Sequence, residues 1–185
     1  MRGEGGFNLT ELLVVVSIVA ILLGIGVPSY KYITNSYRMS AEMNALVGDL
    51  MYARAEAIKE GQYVAICVSS DGLTCSGATS WQNGWIVFPD PAGNGAGDTP
   101  ASVLRVQQAF AGSTPDTLAQ TNPISSIIFN REGFAQSDLN NAFAANEFTL
   151  HDSTANPAWT RCLLISAQGM IQTETAQHPT LGPCN

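Results

Sequence analysis

Gly6-Phe7-Asn8-Leu9-Thr10-Glu11, running into the unbroken apolar stretch Leu12–Val27, is the segment that decides how this 185-residue chain is built. Between Phe7 and Tyr30 the only charge is Glu11. At about 1.5 Å of rise per helical residue, such a stretch spans the roughly 30 Å hydrocarbon core of a bilayer. Three readings compete. Gly24-Ile25-Gly26 offers the small-x-small site of a cleaved secretory signal peptide. Against that, the leader Met1–Gly6 carries one base, Arg2, balanced by Glu4, and an acid at Glu11 gives a signal peptide nothing. A plain membrane anchor explains the length but not Glu11. An ionisable residue at the edge of a membrane helix costs energy and points to a function. The third reading is a helix that is processed and then assembled.

The helical period continues beyond the apolar stretch. Ile33, Tyr37, Met43, Leu46, Val47, Leu50, Met51, Ala53, Ala57 and Ile58 mostly recur at steps of three and four. They predict an amphipathic helix over residues 29–61, stopped at Gly61. This stripe reads as packing. Pro28 removes one helical hydrogen bond and crowds the preceding turn, which predicts a kink. After Gly61 the period changes to two. Strands are expected at Tyr63–Ser69, Gly84–Phe88, Val103–Ala109, Ser126–Asn130, Phe148–His151, Arg161–Ser166 and Met170–Thr173. Asp90–Asp98 and Gly112–Pro123 read as turn-rich connections. The expected fold class is α+β, one long helix laid on an antiparallel sheet. The expected divisions are a leader (1–6), a membrane helix (7–28), an amphipathic helix (29–61) and a β-rich domain (62–185).

Net charge is −7, and it is unevenly spread. Beyond Lys59 there are three bases, Arg105, Arg131 and Arg161, against ten acids, so the C-terminal part carries the whole imbalance. Such a surface repels phosphate and argues against general nucleic-acid binding. Cys67, Cys75, Cys162 and Cys184 make an even count that fits two disulfides in an oxidising compartment. Four cysteines allow three connectivities. The local one, Cys67 with Cys75 and Cys162 with Cys184, is preferred here, and the others stay open. The cysteines lack C-x-x-C spacing and His151 and His178 lie far from them, so no metal site is expected.

Gly6 before Phe7, with Glu11 four residues on, resembles the start of type IV pilins and of the pseudopilins of type II secretion. The resemblance implies that a membrane prepilin peptidase cuts after Gly6. Phe7 is then the methylated N-terminus, and Glu11 registers neighbouring subunits during assembly. It places the kink of such helices at Pro28. Asn8 and Thr10 depart from the family's usual Thr and aliphatic residue, and the leader is barely basic. Further blocks run from Tyr52 to Gly61, through Cys67, Asp71-Gly72, Cys75 and Asn83–Phe88, and on to Phe129–Gly133 and Cys162–Gly169. These resemble the minor-pilin subgroup of FimT, FimU and the pseudopilin GspH.

That resemblance implies a type IV pilin-like fold and a minor pilin that initiates or caps a pilus. The expected contributions are to pilus biogenesis, adhesion, twitching motility or DNA uptake. Expected partners are other major and minor pilins, the prepilin peptidase and an inner-membrane assembly platform. The expected location is the inner membrane, single-pass with the C-terminal domain periplasmic, and then the extracellular pilus. A GspH-like pseudopilin of type II secretion is the alternative. DNA binding is a second alternative, but Gly169-Met170-Ile171-Gln172 stands where FimT-like DNA binders carry a basic Gly-Arg-x-Arg. No strong nucleic-acid site is therefore expected, and Trp81, Trp85 and Trp159 read as core or interface residues.

Other chemistries have weaker footing. No G-x-S-x-G, G-x-G-x-x-G or H-E-x-x-H motif occurs, and His151, in an alternating strand, reads as a surface or edge residue. No enzyme and no cofactor are expected. Asp90, Asn94 and Asp98 supply oxygens that a calcium ion accepts, but their spacing is not that of an EF-hand, and a surface loop is the preferred reading.

Overall fold

Met39, Met43, Leu46, Leu50, Ala53 and Ala57 recur at alternating steps of four and three, and all are buried. They form the inner face of helix α1 (Leu9–Glu60), the only α-helix of the described residues. The computed structural model describes residues 8–97, 99–110, 116–138, 141–176 and 184. The chain divides into two compact units, Met1–Tyr37 and Arg38–Asn185. α1 remains helical through Pro28 and ends at Glu60. Gly61 follows at φ 66°, a left-handed conformation that suits a residue without Cβ.

In the first unit the described residues from Leu9 onward are helical. Ser17 and Thr34 donate their hydroxyls to the carbonyls of Leu13 and Tyr30, each at 2.8 Å. Each hydroxyl thus bonds back to the carbonyl four residues earlier.

Among the described residues, the second unit holds ten strands in two antiparallel sheets. The first sheet runs β3 (Arg105–Gln108), β2 (Gly84–Pro89), β1 (Val64–Val68), β5 (Ser126–Phe129), β6 (Ala135–Asp138) and β7 (Asn141–Ala142), in that spatial order. The second runs β10 (Ile171–Thr175), β9 (Arg161–Ile165), β8 (Asn146–His151) and β4 (Thr117–Gln120). The helix-on-sheet reading therefore holds with the sheet divided in two. Gly112–Pro123, expected as a turn-rich connection, contains β4. Leu118 of that strand is buried, and β8 pairs along its whole length. β6 and β7 were also unexpected. Ala135-Gln136-Ser137-Asp138 is too polar to announce a strand, and pairing with Phe129 and Ile128 holds it in place.

Burial explains the central strands. Val64, Ile66, Val68, Trp85, Val87, Ile127 and Phe129 belong to the cluster that also contains the inner face of α1. The alternate residues, Ala65, Cys67, Ile86, Phe88 and Ile128, form a second small cluster with Tyr63, Cys75, Ala96 and Val103 packed against it. β1 is therefore buried on both faces, and its sequence reads as a continuous apolar run. Trp81 and Trp85 are fully buried and lie at a 6.3 Å centroid separation, with Phe148 edge-on to Trp81 and Phe110 edge-on to Trp85.

Of the three possible connectivities, the structure has the local one. Cys67 bonds Cys75, with Cα atoms 5.7 Å apart, and Cys162 bonds Cys184, with Cα atoms 5.9 Å apart. The first closes the loop after β1, and the second ties residue 184 to β9.

Candidate assembly surface

α1 begins at Leu9, just beyond Asn8, whose carbonyl accepts the backbone N–H groups of Glu11 (3.0 Å) and Leu12 (3.1 Å). Glu11 is exposed in the first turn, where the helix dipole favours a negative charge. Among the described residues it has no ion-pair partner. Gly6 and Phe7, the expected processing position, lie outside the described residues. From Leu9 to Val27 every large aliphatic side chain is exposed, reaching 75% at Leu9 and 70% at Ile25. Each such side chain left in water forgoes roughly 1.5–3 kcal/mol. A helix with this surface is long and apolar enough to cross a membrane and calls for lipid or other helices around it.

In the second unit, polar side chains fasten α1 to the strands. Arg38 grips Asp116 with two parallel bonds, Nε to Oδ2 at 2.9 Å and Nη2 to Oδ1 at 3.0 Å. Glu42 lies beside this pair, and its Oε2 is buried without a hydrogen-bond partner among the described residues. Burial, and then the neighbouring Asp116 carboxylate, push its carboxyl up to about 7, with Arg38 pulling the other way. Two turns of helix further on, Asp49 is buried. It accepts the Trp85 indole N–H at 2.9 Å and Nη1 of Arg105 at 3.0 Å, while that guanidinium sits 4.0 Å from the centre of the Tyr52 ring.

Arg54 fastens α1 to two turns of the strand region. Its Nε donates to the Gly133 carbonyl at 3.0 Å and Nη2 to the Gln168 carbonyl at 3.3 Å. Gly133 (φ 83°) and Gly169 (φ 71°) approach each other there, and a Cβ on Gly169 would collide with the Gly133 carbonyl oxygen. All three residues fall in the blocks on which the family resemblance was read. Their meeting was not foreseen, because nothing in a strand pattern shows which turns will touch.

The other candidates resolve as structure. The Asp90 carboxylate is buried and accepts three backbone N–H groups, from Gly93 (2.9 Å), Asn94 (3.2 Å) and Gly95 (2.7 Å), so it organises its own loop. Asp98 lies outside the described residues, as does His178. Glu147 approaches the sulfurs of Cys162 and Cys184, but those sulfurs are joined to each other. His151 is half-buried at the end of β8, an interior strand and not an edge, with Thr160 Oγ1 at 3.4 Å from Nδ1. The Trp81 indole donates to the Ile124 carbonyl at 2.9 Å, and Trp159 packs against the main core.

The sequence matches the family described as type II transport protein GspH over residues 42–169, more than half of the chain. The chain belongs to the GspH family. Its members are structural subunits, pilins and pseudopilins of the FimT/FimU/GspH type. Among solved structures the GspH-family chain is similar to the type IV minor pilin FimU of Pseudomonas aeruginosa in two crystal forms. One is 22% identical, covers 80% of this chain and 98% of FimU, and has a TM-score of 0.54. The other is 19% identical, covers 85% and 98%, and has a TM-score of 0.55. The minor pseudopilin EpsH of the Vibrio cholerae type 2 secretion system is 10% identical over 76% of this chain and 99% of its own, with a TM-score of 0.46. No curated protein matches the sequence. The FimU likeness establishes the type IV pilin fold, in which a long helix packs on antiparallel sheets.

Proposed function

We propose that this chain is a minor type IV pilin. A prepilin peptidase removes residues 1–6 after Gly6, and Phe7 becomes the methylated N-terminus. The protein waits in the bacterial inner membrane with its β-rich domain on the periplasmic side. An inner-membrane assembly platform then draws it into an extracellular pilus beside other pilins, where it initiates or caps the fibre. The observation that carries this reading is the chemistry of the first part of α1, where every large aliphatic side chain from Leu9 to Val27 is exposed and the one carboxylate is Glu11. A new amine at Phe7 and the Glu11 carboxylate are opposite charges that lipid solvates poorly. Pairing them between neighbouring subunits offsets the cost of burial and sets axial register. The apolar surface meanwhile exchanges lipid for other helices.

N-terminal mass spectrometry of the chain recovered from membranes tests this. The expected result is a mature chain beginning at N-methyl-Phe7. A chain beginning near Val27 would identify an ordinary signal peptide and sink the proposal, as would an intact Met1.

One observation favours a second reading. The matching family is described by type II transport, which supports a GspH-like pseudopilin. Deleting the gene separates the two. Loss of surface pili with secretion intact marks a pilin, and the reverse marks a pseudopilin.

A further inference from the structure

β2, β1 and β5 are neighbours in the first sheet, and they reach the same end of it together. β1 starts there after Gly61-Gln62-Tyr63, β2 runs out there into Asp90-Pro91, and β5 runs out there into Asn130-Arg131-Glu132. The register sets Val64 opposite both Pro89 and Phe129, so Tyr63 falls level with Asp90 and Asn130. The Asp90 N–H donates to the Tyr63 carbonyl at 2.9 Å. Loops at the ends of fixed strands are where a scaffold presents binding groups. Among these loops lies a pocket of about 300 Å³, lined by Gln62, Tyr63, Pro91, Asn130, Arg131 and Glu132. Such a volume is at the lower end of small-molecule sites.

The turns that make its walls are fixed by their own bonds. Gly61 takes a left-handed conformation where α1 stops. Asp90 gathers three N–H groups of the turn that holds Pro91. Asn130 Oδ1 accepts the N–H groups of Glu132 (3.0 Å) and Phe134 (2.9 Å), and the Asn130 carbonyl accepts the Gly133 N–H at 2.8 Å. Walls set in this way lose little freedom when a ligand arrives.

The side chains on those walls are unspent. Among the described residues, Tyr63 Oη, the Gln62 carboxamide and Asn130 Nδ2 have no hydrogen-bond partner. Arg131 and Glu132 share one bond, Nε to Oε1 at 3.2 Å, which leaves Glu132 Oε2 and both terminal nitrogens of Arg131 open. Donors and acceptors are thus mixed, and the two charges cancel. An ion meets no net charge here, and an apolar ligand would strand the polar groups. The ligand that matches is neutral and carries donors and acceptors around a ring. Tyr63, braced against the second core cluster, adds an aromatic surface for that ring.

We propose that this pocket binds a neutral saccharide of one or two pyranose rings. Gln62, Asn130 and the Arg131–Glu132 pair bond its hydroxyls, and Tyr63 supports the ring. The site does not involve the apolar part of α1, so it stands or falls separately from the assembly reading.

Saturation-transfer NMR of the full chain tests this, in a zwitterionic detergent so that no detergent sugar competes. The probes are maltose, cellobiose, lactose and N,N′-diacetylchitobiose, with glucuronate as the charged comparison. At least one neutral disaccharide is expected to show transfer, and glucuronate none. Tyr63→Phe, Gln62→Ala and Glu132→Ala are each expected to weaken binding about five- to tenfold, the effect of losing one hydrogen bond. Gln172→Ala, which removes an exposed carboxamide from β10 of the other sheet, should leave binding unchanged. Gln62→Ala and Glu132→Ala decide the matter if Tyr63→Phe unsettles the fold, since Glu132 is exposed and Gln62 only half-buried. The proposal is overturned if none of the neutral disaccharides gives a signal at about 10 mM, where even millimolar affinity registers. It is equally overturned if glucuronate binds and they do not, or if the pocket variants bind as the parent chain does.

Discussion

Glu42 shows how one side chain ties packing to pH. Its carboxyl is raised from 4.5 to about 7, first by burial and then by Asp116. A raised pKa means that the folded state prefers the protonated form. Glu42 therefore contributes its full stability below pH 4.5 and loses it as pH climbs through about 7. The contribution falls short of the full 1.4 kcal/mol or so per unit, because the group is only half withdrawn from solvent. Denaturant unfolding of the full chain in detergent, followed by tryptophan fluorescence, checks this, since Trp81 and Trp85 report on the core. The midpoint is expected to fall between pH 4.5 and about 7, and Glu42→Gln is expected to flatten that slope. An unchanged slope in the variant would refute the assignment. Asp71 is separable. Its carboxylate is held well below its usual range, first by the Thr74 hydroxyl at 2.7 Å and then by the Thr74 and Leu73 N–H groups. Its contribution is lost only as pH falls below 3.8, outside the Glu42 window.

At the scale of elements, the disulfides set how much the outer strands depend on covalent closure. The loop from Cys162 to Cys184 is the longer, with a separation of 22 residues against 8. The chain-entropy argument gives about 3.4 kcal/mol for the longer loop and about 2.5 for the shorter. Replacing Cys162 and Cys184 together with Ser should therefore cost about 3 kcal/mol in denaturant unfolding, and replacing Cys67 and Cys75 somewhat less. The opposite ranking would show that native packing, not loop length, decides. The sequence revealed these elements unequally. β1, β2 and β5 were readable because both faces are buried and their runs are continuously apolar. β4 and β6 were not. In β4 only Leu118 is buried, and β6 pairs with β5 through two residue pairs, so neighbours fix these strands more than their own residues do. The division into two sheets was also hidden, because period-two patterning says which residues share a face but not which strands are adjacent. The candidate site divides in the same way. The apolar helix and Glu11 are plain in the chain, whereas the meeting of Arg54, Gly133 and Gly169 depends on two turns far apart in sequence.

The whole molecule carries its charge in a way that decides between partners. From Arg38 onward there are six arginines and lysines, and four of them, Arg38, Lys59, Arg105 and Arg131, sit on carboxylates. Arg161 spends its guanidinium on Ser40 and on the carbonyls of Ala158 and Thr160. Arg54 lies on two carbonyls beside apolar side chains. No basic stripe is left to follow a phosphate backbone, which requires several cations acting together. Trp81 and Trp85 are inside the core, so they offer no face on which a base can stack. The full chain in detergent is therefore expected to leave duplex and single-stranded DNA unshifted in a gel at low salt and micromolar protein. A shift that fades as salt rises would reveal a cationic surface and restore DNA uptake as a direct activity.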